Sequence, residues 1–181
     1  MKAAGIDLTG SESKATSIAI VSGGKIRLYR ATADHEIIEV VSREKPDVIA
    51  IDAPLTKPHE GYLRKLERKA AKEGIKLLPP MLRGMRKLTE RGVRLRRALE
   101  ERGFNVIEVH PTSSRKILGI SGSLEEAWKN ALGIAKVSTS PDIKPSRDDL
   151  DALLAAITGI YYLKGKYRSI KGEGELILPS P

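Results

Sequence analysis

Residues 48–51 read Val-Ile-Ala-Ile and run directly into Asp52. Four apolar positions without polar alternation fit a central strand buried on both faces, which requires helices on both sides of a sheet. The flanking segments supply them. Residues 3–9 and 15–21 read as strands, and Ser22-Gly23-Gly24-Lys25 as a tight turn into a third strand at 26–31. Asp34 is the expected N-cap of a helix carrying Ile37, Ile38, Val40 and Val41, which ends before Pro46. The expected class is α/β.

Downstream of Asp52 the pattern becomes helical. Residues 62–73 and 85–102 each present an apolar seam, Leu63, Leu66 and Ala70 in the first and Leu88, Gly92, Leu95 and Leu99 in the second. Pro79-Pro80 makes 75–84 a loop. A strand at 105–109, short helices at 113–118 and 123–132, and a polar loop at 137–146 follow. A long helix then starts at Asp148 or Asp149, with Asp149 the expected N-cap, and runs to about residue 163. Leu176-Ile177-Leu178 is a short apolar tail. Three antiparallel strands followed by α-β-α-β-α is the ribonuclease H order. The expectation is a mixed five-stranded sheet flanked by helices, with a short C-terminal strand. The chain is taken as one domain over 1–181, with a basic two-helix insertion over about 57–103.

Carboxylates close or open these elements at three distant places. Asp7 ends the first strand, Asp52 ends the fourth, and Asp148 and Asp151 begin the last long helix. Strand ends of this kind collect at one edge of an open sheet. Convergent carboxylates suit Mg²⁺ or Mn²⁺, and a metal pair can drive phosphodiester hydrolysis. Asp148 and Asp151 are three apart and share a helical face, which Ala155 and Gly159 continue with room for close packing on the sheet. Gly10 leaves space for a backbone or a phosphate near Asp7. Each carboxylate also has a plainer reading: a turn capped by Asp7, a residue before Pro54 for Asp52, helix capping for the Asp148–Asp151 group. Glu108 and His110, two apart at the end of the 105–109 strand, are candidates to orient water, donate a proton or bind phosphate, or form a hydrogen-bonded strand end. Thr112-Ser113-Ser114 caps the next helix and, with Arg115 and Lys116, could receive a phosphate.

The chain carries a net charge of +9, and residues 57–102 hold 15 Lys/Arg against 6 Asp/Glu, so that segment supplies the whole excess. A polyanion is the expected partner, nucleic acid of either kind, with Arg64, Lys65, Arg68, Lys69, Arg83, Arg86, Lys87, Arg91 and Arg94 facing outward to meet it. Cysteine is absent, which excludes disulfides and thiolate metal sites. No apolar run approaches the ~18 residues of a membrane span, and no signal-type segment is evident, so no membrane partner and a cytoplasmic location are expected.

The stretches Gly5-Ile-Asp7, Ile51-Asp52-Ala-Pro54, Leu78-Pro-Pro80, Gly84-Met85-Arg86, Glu108-Val-His-Pro111 and Arg147-Asp-Asp-Leu-Asp151-Ala resemble a family of microbial proteins described as predicted nucleases with a ribonuclease H fold. The acidic frame, Asp7, Asp52 and Asp148-x-x-Asp151-Ala-Leu, is similar to that of RuvC-type resolvases. The resemblance implies a ribonuclease H-like fold, with Asp7, Asp52, Asp148 and Asp151 as metal ligands in a nuclease, and Glu108 and His110 beside them. RuvC-type resolvases work as dimers, which brings a homodimer into view. Gly5-Ile-Asp-Leu-Thr-Gly10 also resembles the first phosphate loop of the actin and sugar-kinase superfamily, but no second phosphate loop is present. A non-catalytic nucleic-acid-binding module and a hydrolase of small phosphorylated molecules are the other readings.

Overall fold

A computed structural model describes residues Met1–Pro181. Its elements are β1 (Lys2–Asp7), β2 (Thr16–Ser22), β3 (Lys25–Ala31), α1 (Asp34–Glu44), β4 (Val48–Asp52), α2 (Lys65–Lys72), α3 (Arg86–Glu100), β5 (Val106–Val109), α4 (Pro111–Ile117), α5 (Leu124–Ala135), α6 (Arg147–Leu163), β6 (Tyr167–Lys171) and β7 (Glu175–Pro179). One seven-stranded sheet runs β3-β2-β1-β4-β5-β7-β6. β1, β2 and β3 form the antiparallel meander, and β4 and β5 add in parallel beside β1. The expected ribonuclease H order is therefore present, and β4 is central as its unbroken apolar run requires.

The meander turns at Gly23 and Gly24, whose φ values of 58° and 73° match the twist of a two-residue hairpin. Alternation then sorts the side chains by face. Ala4, Ile6, Ile18, Ile20, Ile49 and Ile51 pack with Ile37 and Val41 of α1 and Leu95 and Leu99 of α3. On the other face Ala19 and Val21 pack with α5 and α6, and Ala3, Val48 and Ala50 pack with Ala155 of α6.

The α6 face of the central strands is built from small residues. A Cβ on Gly5 would lie 2.0 Å from the Ala152 carbonyl oxygen and 2.3 Å from the Ala156 nitrogen. A Cβ on Gly159 would lie 3.1 Å from Val48 and 3.2 Å from Ala3. Helix α6 therefore lies almost backbone to backbone on β1, which sets how near its first turn stands to Asp7.

Several local expectations need correction. To the expected five strands the C-terminal tail adds a hairpin of two rather than a single short strand, giving seven. β7 is the expected apolar strand and pairs in parallel with β5, while β6 covers its outer side. Only Ile170 of β6 is fully buried, so its sequence carries no strand-like apolar pattern. Helix α2 begins at Lys65, three residues later than expected, and α5 runs on to Ala135. Asp34 is the first residue of α1 rather than its cap. Glu36 instead accepts from the backbone N–H groups of Thr32 (2.6 Å) and Ala33 (3.1 Å). Asp149 likewise does not cap α6: Ser146 does, and the Asp149 carboxylate accepts from the Ser146 N–H at 2.9 Å in a capping box. No helix is long and apolar enough to cross a membrane.

Candidate active site

Asp7 and Asp52 are the last residues of β1 and β4 and are partners in the parallel register of the two strands. Both belong to the face covered by α6, since their neighbours Ile6 and Ile51 pack on the opposite face with α1 and α3. Asp7 is also the partner of Ser17, and Ser17 of Arg30. One row across the sheet thus reads Arg30, Ser17, Asp7, Asp52.

The charges of this row and of the α6 first turn act on one another. Burial, reinforced by the charges of Asp151 and Asp148, lifts Asp7 from the usual carboxylate range to about 7, against the opposing pull of Arg30. Burial also holds Asp52 well above its ordinary value, with Asp7, Asp151 and Glu108 adding to it. Asp151 is raised by burial and by Asp148, with Arg147 and Arg115 opposing. Asp148 is exposed, whereas Asp151 is half-buried. The structure therefore brings Asp7, Asp52, Asp151 and Asp148 into mutual electrostatic reach. It does not draw any three acidic or histidine side chains close enough to form a ready-made cation cage.

Asp149 serves a different purpose from its neighbours. It is buried, accepts from the Ser17 hydroxyl at 3.1 Å and the Arg30 guanidinium at 2.8 Å, and accepts from the N–H of Ser146, the residue that caps the helix. Arg30 also donates to Ser17 and to the Ser146 hydroxyl. This network pins the start of α6 to β2 and β3 and so fixes Asp148 and Asp151 relative to Asp7. Ser17 and Arg30 were not singled out from the sequence. They lie on alternating strands with no motif, and only the register places them beside Asp7.

Glu108 stands apart from the carboxylate row. Its register partner is Ile51, so it points to the α3 face of the sheet. There it accepts from the Arg64 guanidinium at 2.6 and 2.9 Å and from the Leu55 N–H at 2.8 Å. Arg64 also pairs with Glu67 and donates to the Thr56 hydroxyl at 2.8 Å. Burial works against the guanidinium's charge, but Glu108 and Glu67 outweigh it and hold its pKa above the ordinary value. The cluster ties the loop after Asp52 to the start of α2. His110 is partly buried and shares a hydrogen bond of 2.8 Å through Nδ1 with the Ser113 hydroxyl, and burial lowers its pKa, which keeps it neutral at pH 7. Asp7, Asp52, Glu108 and His110 all line one cavity of about 220 Å³, together with Leu77, Leu78, Met85 and Leu88.

Two of the cations expected to face outward are interior. Arg64 is 1% exposed and Arg91 is 2% exposed. Arg91 pairs with Asp34 at 2.8 Å and donates to the carbonyls of Thr9 (2.8 Å), Ser11 (3.0 Å) and Thr32 (2.6 Å). It holds the turn after β1 against α3 and α1, and in the same region the α3 backbone at Leu88 fills the space beside Gly10. Neither arginine is available to a phosphate at the surface. Lys65, Arg68, Lys69, Arg83, Arg86, Lys87 and Arg94 are exposed, as expected, although Arg94 is engaged by Asp34 and Glu12.

Comparison with known proteins accords with this architecture. A family model described as "Protein of unknown function (DUF429)" matches residues 5–175. Among solved structures, Thermus thermophilus RuvC in complex with a Holliday junction substrate is 18% identical with a TM-score of 0.56, covering 91% of this chain and 96% of that one. A second structure of Thermus thermophilus RuvC is 17% identical with a TM-score of 0.54, covering 91% and 97%. At these identities the likeness is one of fold. No curated protein matches the chain.

Proposed function

The chain belongs to the DUF429 family, and we propose that it is a divalent-metal-dependent nuclease that hydrolyses phosphodiester bonds in nucleic acid. The observation that carries this reading is the in-register pairing of Asp7 and Asp52 at the ends of two central parallel strands, with the first turn of α6 held against them. Carboxylates adjoining in this way repel one another, and they are stable together as anions only when a cation is shared among them.

The donor set fits Mg²⁺ or Mn²⁺ in kind: it is all oxygen, anionic and at the carboxyl edge of the sheet. Asp7, Asp52 and Asp151 would hold the metal, with Asp148 completing the set from the rim. A bound divalent ion supplies an activated water and charge neutralisation for the leaving oxygen. The remaining groups position and enclose. Arg64 and Glu108 fix the loop after Asp52, and Asp149 and Arg30 fix α6. His110, neutral at pH 7, is the proton-accepting group of the same cavity. The exposed cations of α2, α3 and the loop between them would hold the phosphate backbone without reading sequence.

Because the RuvC structure holds a Holliday junction, branched DNA belongs among the test substrates, and the dimeric state of RuvC-type enzymes makes assembly worth measuring alongside. The test is a panel of duplex, single-stranded, hybrid and four-way-junction substrates incubated with Mg²⁺, Mn²⁺ or EDTA. Cleavage that requires the metal is expected on at least one substrate. Tight, salt-sensitive binding with no cleavage of any substrate would replace the nuclease reading with a binding module.

A further inference from the structure

His110 lines not only the cavity of Asp7 and Asp52 but also a second one of about 470 Å³ between the segment after α2 and the start of α4. The charged residues of that second lining, His110 aside, are Lys76, Lys116, Arg168 and Glu73. Glu73 and Arg168 are ion-paired with each other. Lys76 and Lys116 are exposed and form no ion pair, so their charge is left over. The other cation of α4, Arg115, is spent on the carbonyls of Ile120 and Gly122 at 3.1 and 3.0 Å. Thr112 and Ser113 add hydroxyls to the lining.

The two cavities therefore have opposite sign. The first presents Asp7, Asp52, Glu67 and Glu108 against one guanidinium, Arg64, and the second presents three cations against one carboxylate. An acidic cavity cannot hold a phosphodiester strand without a cation, whereas the basic one can take a phosphate directly through lysine ammonium groups and hydroxyls. We propose that the Lys76–Lys116 cavity is a phosphate subsite that takes a backbone phosphate of the strand next to the one at the carboxylates. This rests on the nuclease reading for its role, but the binding it describes does not need cleavage. The subsite joins Lys76, from the loop between α2 and α3, to Lys116 of α4, so that the strand crosses the carboxylate row with His110 between its two phosphates.

The chemistry recognised is a phosphate group, whose source is either a nucleic-acid strand or a free phosphate or mononucleotide. The test is fluorescence anisotropy in EDTA over a salt series with an end-labelled single-stranded oligonucleotide. It compares wild type, Lys76→Ala/Lys116→Ala and Lys14→Ala/Lys25→Ala, the last removing equal charge from exposed positions elsewhere. Inorganic phosphate and a mononucleotide serve as competitors. We expect the Lys76/Lys116 variant to bind about tenfold more weakly, with a slope in log Kd against log salt smaller by about 1.4, the value for two lost contacts to a single strand. The control variant should bind like wild type. Both competitors should displace the strand only at far higher concentration. An unchanged Kd and slope in the Lys76/Lys116 variant overturns the subsite, even where metal-dependent cleavage is found. Displacement by mononucleotide at concentrations near those of the strand overturns the strand assignment in favour of a small ligand. Weakened binding in a protein that cleaves nothing upholds the subsite and rejects the nuclease.

Discussion

Asp7 and Asp52 face each other as register partners on parallel strands, two carboxylates side by side beneath one helix. Burial, with the charges of Asp151 and Asp148, makes the folded protein resist ionising Asp7, and burial together with Asp7 does the same to Asp52. Asp7 has a pKa of about 7 in the fold against an ordinary 3.8, so the folded state holds its proton where the unfolded chain has lost it. Stability from this group is full below pH 3.8, falls as pH rises, and is lowest above pH 7. Asp52 and Asp151 shift in the same direction. Metal-free Asp7→Asn should accordingly melt higher than wild type at pH 8, by about 1–3 kcal/mol, or roughly 2–4 °C per kcal/mol. Near pH 4 the two should melt together. Equal melting temperatures at pH 8 would mean that burial and the neighbouring carboxylates do not oppose ionisation of Asp7.

Gly5 sets the height of α6 above the sheet. Gly5→Ala places a methyl 2.0 Å from a backbone carbonyl that cannot rotate away. The expected cost is about 3 kcal/mol or more, seen in urea unfolding. Gly133→Ala is the contrast, with nothing within 4 Å of the added methyl on the exposed side of α5. It should be neutral or stabilise by up to about 1 kcal/mol.

The Arg64 cluster should behave as a buried ion pair. Arg64→Met leaves Glu67 and Glu108 interior without a charged partner and should cost about 3–5 kcal/mol. Adding Glu108→Gln should recover part of that loss, and a double-mutant cycle on urea midpoints reads the coupling directly. Additive losses would show that Arg64 and Glu108 act independently.

The two kinds of arginine on α3 should separate cleanly. Arg86→Ala/Lys87→Ala removes exposed charge, and it should weaken nucleic-acid binding at low salt and flatten its salt dependence, with little change in melting temperature. Arg91→Ala should instead lower the melting temperature, because it removes one of the two guanidinium partners of Asp34 and a donor from three backbone carbonyls.

Much of this was legible in the sequence, for reasons that differ by residue. The apolar run before Asp52 announced a central strand, and the turn at Gly23-Gly24 announced the hairpin, because burial and positive φ leave direct marks in composition. The closeness of α6 to β1 was foreshadowed by Ala155 and Gly159. The face on which a strand-end side chain lies was harder. Glu108 lines the same cavity as Asp7 and Asp52 and acts on Asp52, but strand pleat and register turn its carboxylate to the α3 side, where Arg64 meets it. The sequence points Arg64 and Arg91 outward because a cation in an amphipathic helix is usually solvated. Their interior partners, Glu108 for one and the Thr9–Ser11 turn for the other, lie 44 and about 80 residues away in the chain. Strand β6 had no apolar pattern to read, since its only fully buried residue is Ile170.

The most direct measurement is the cleavage rate of the preferred substrate with Mn²⁺, wild type beside Asp7→Asn, with binding of both proteins followed under the same conditions. The account predicts metal-dependent cleavage by wild type, a loss of at least a hundredfold in Asp7→Asn, and substrate affinity within a few-fold of wild type, since Asp7 holds the metal rather than the strand. Cleavage by Asp7→Asn at the wild-type rate would contradict it.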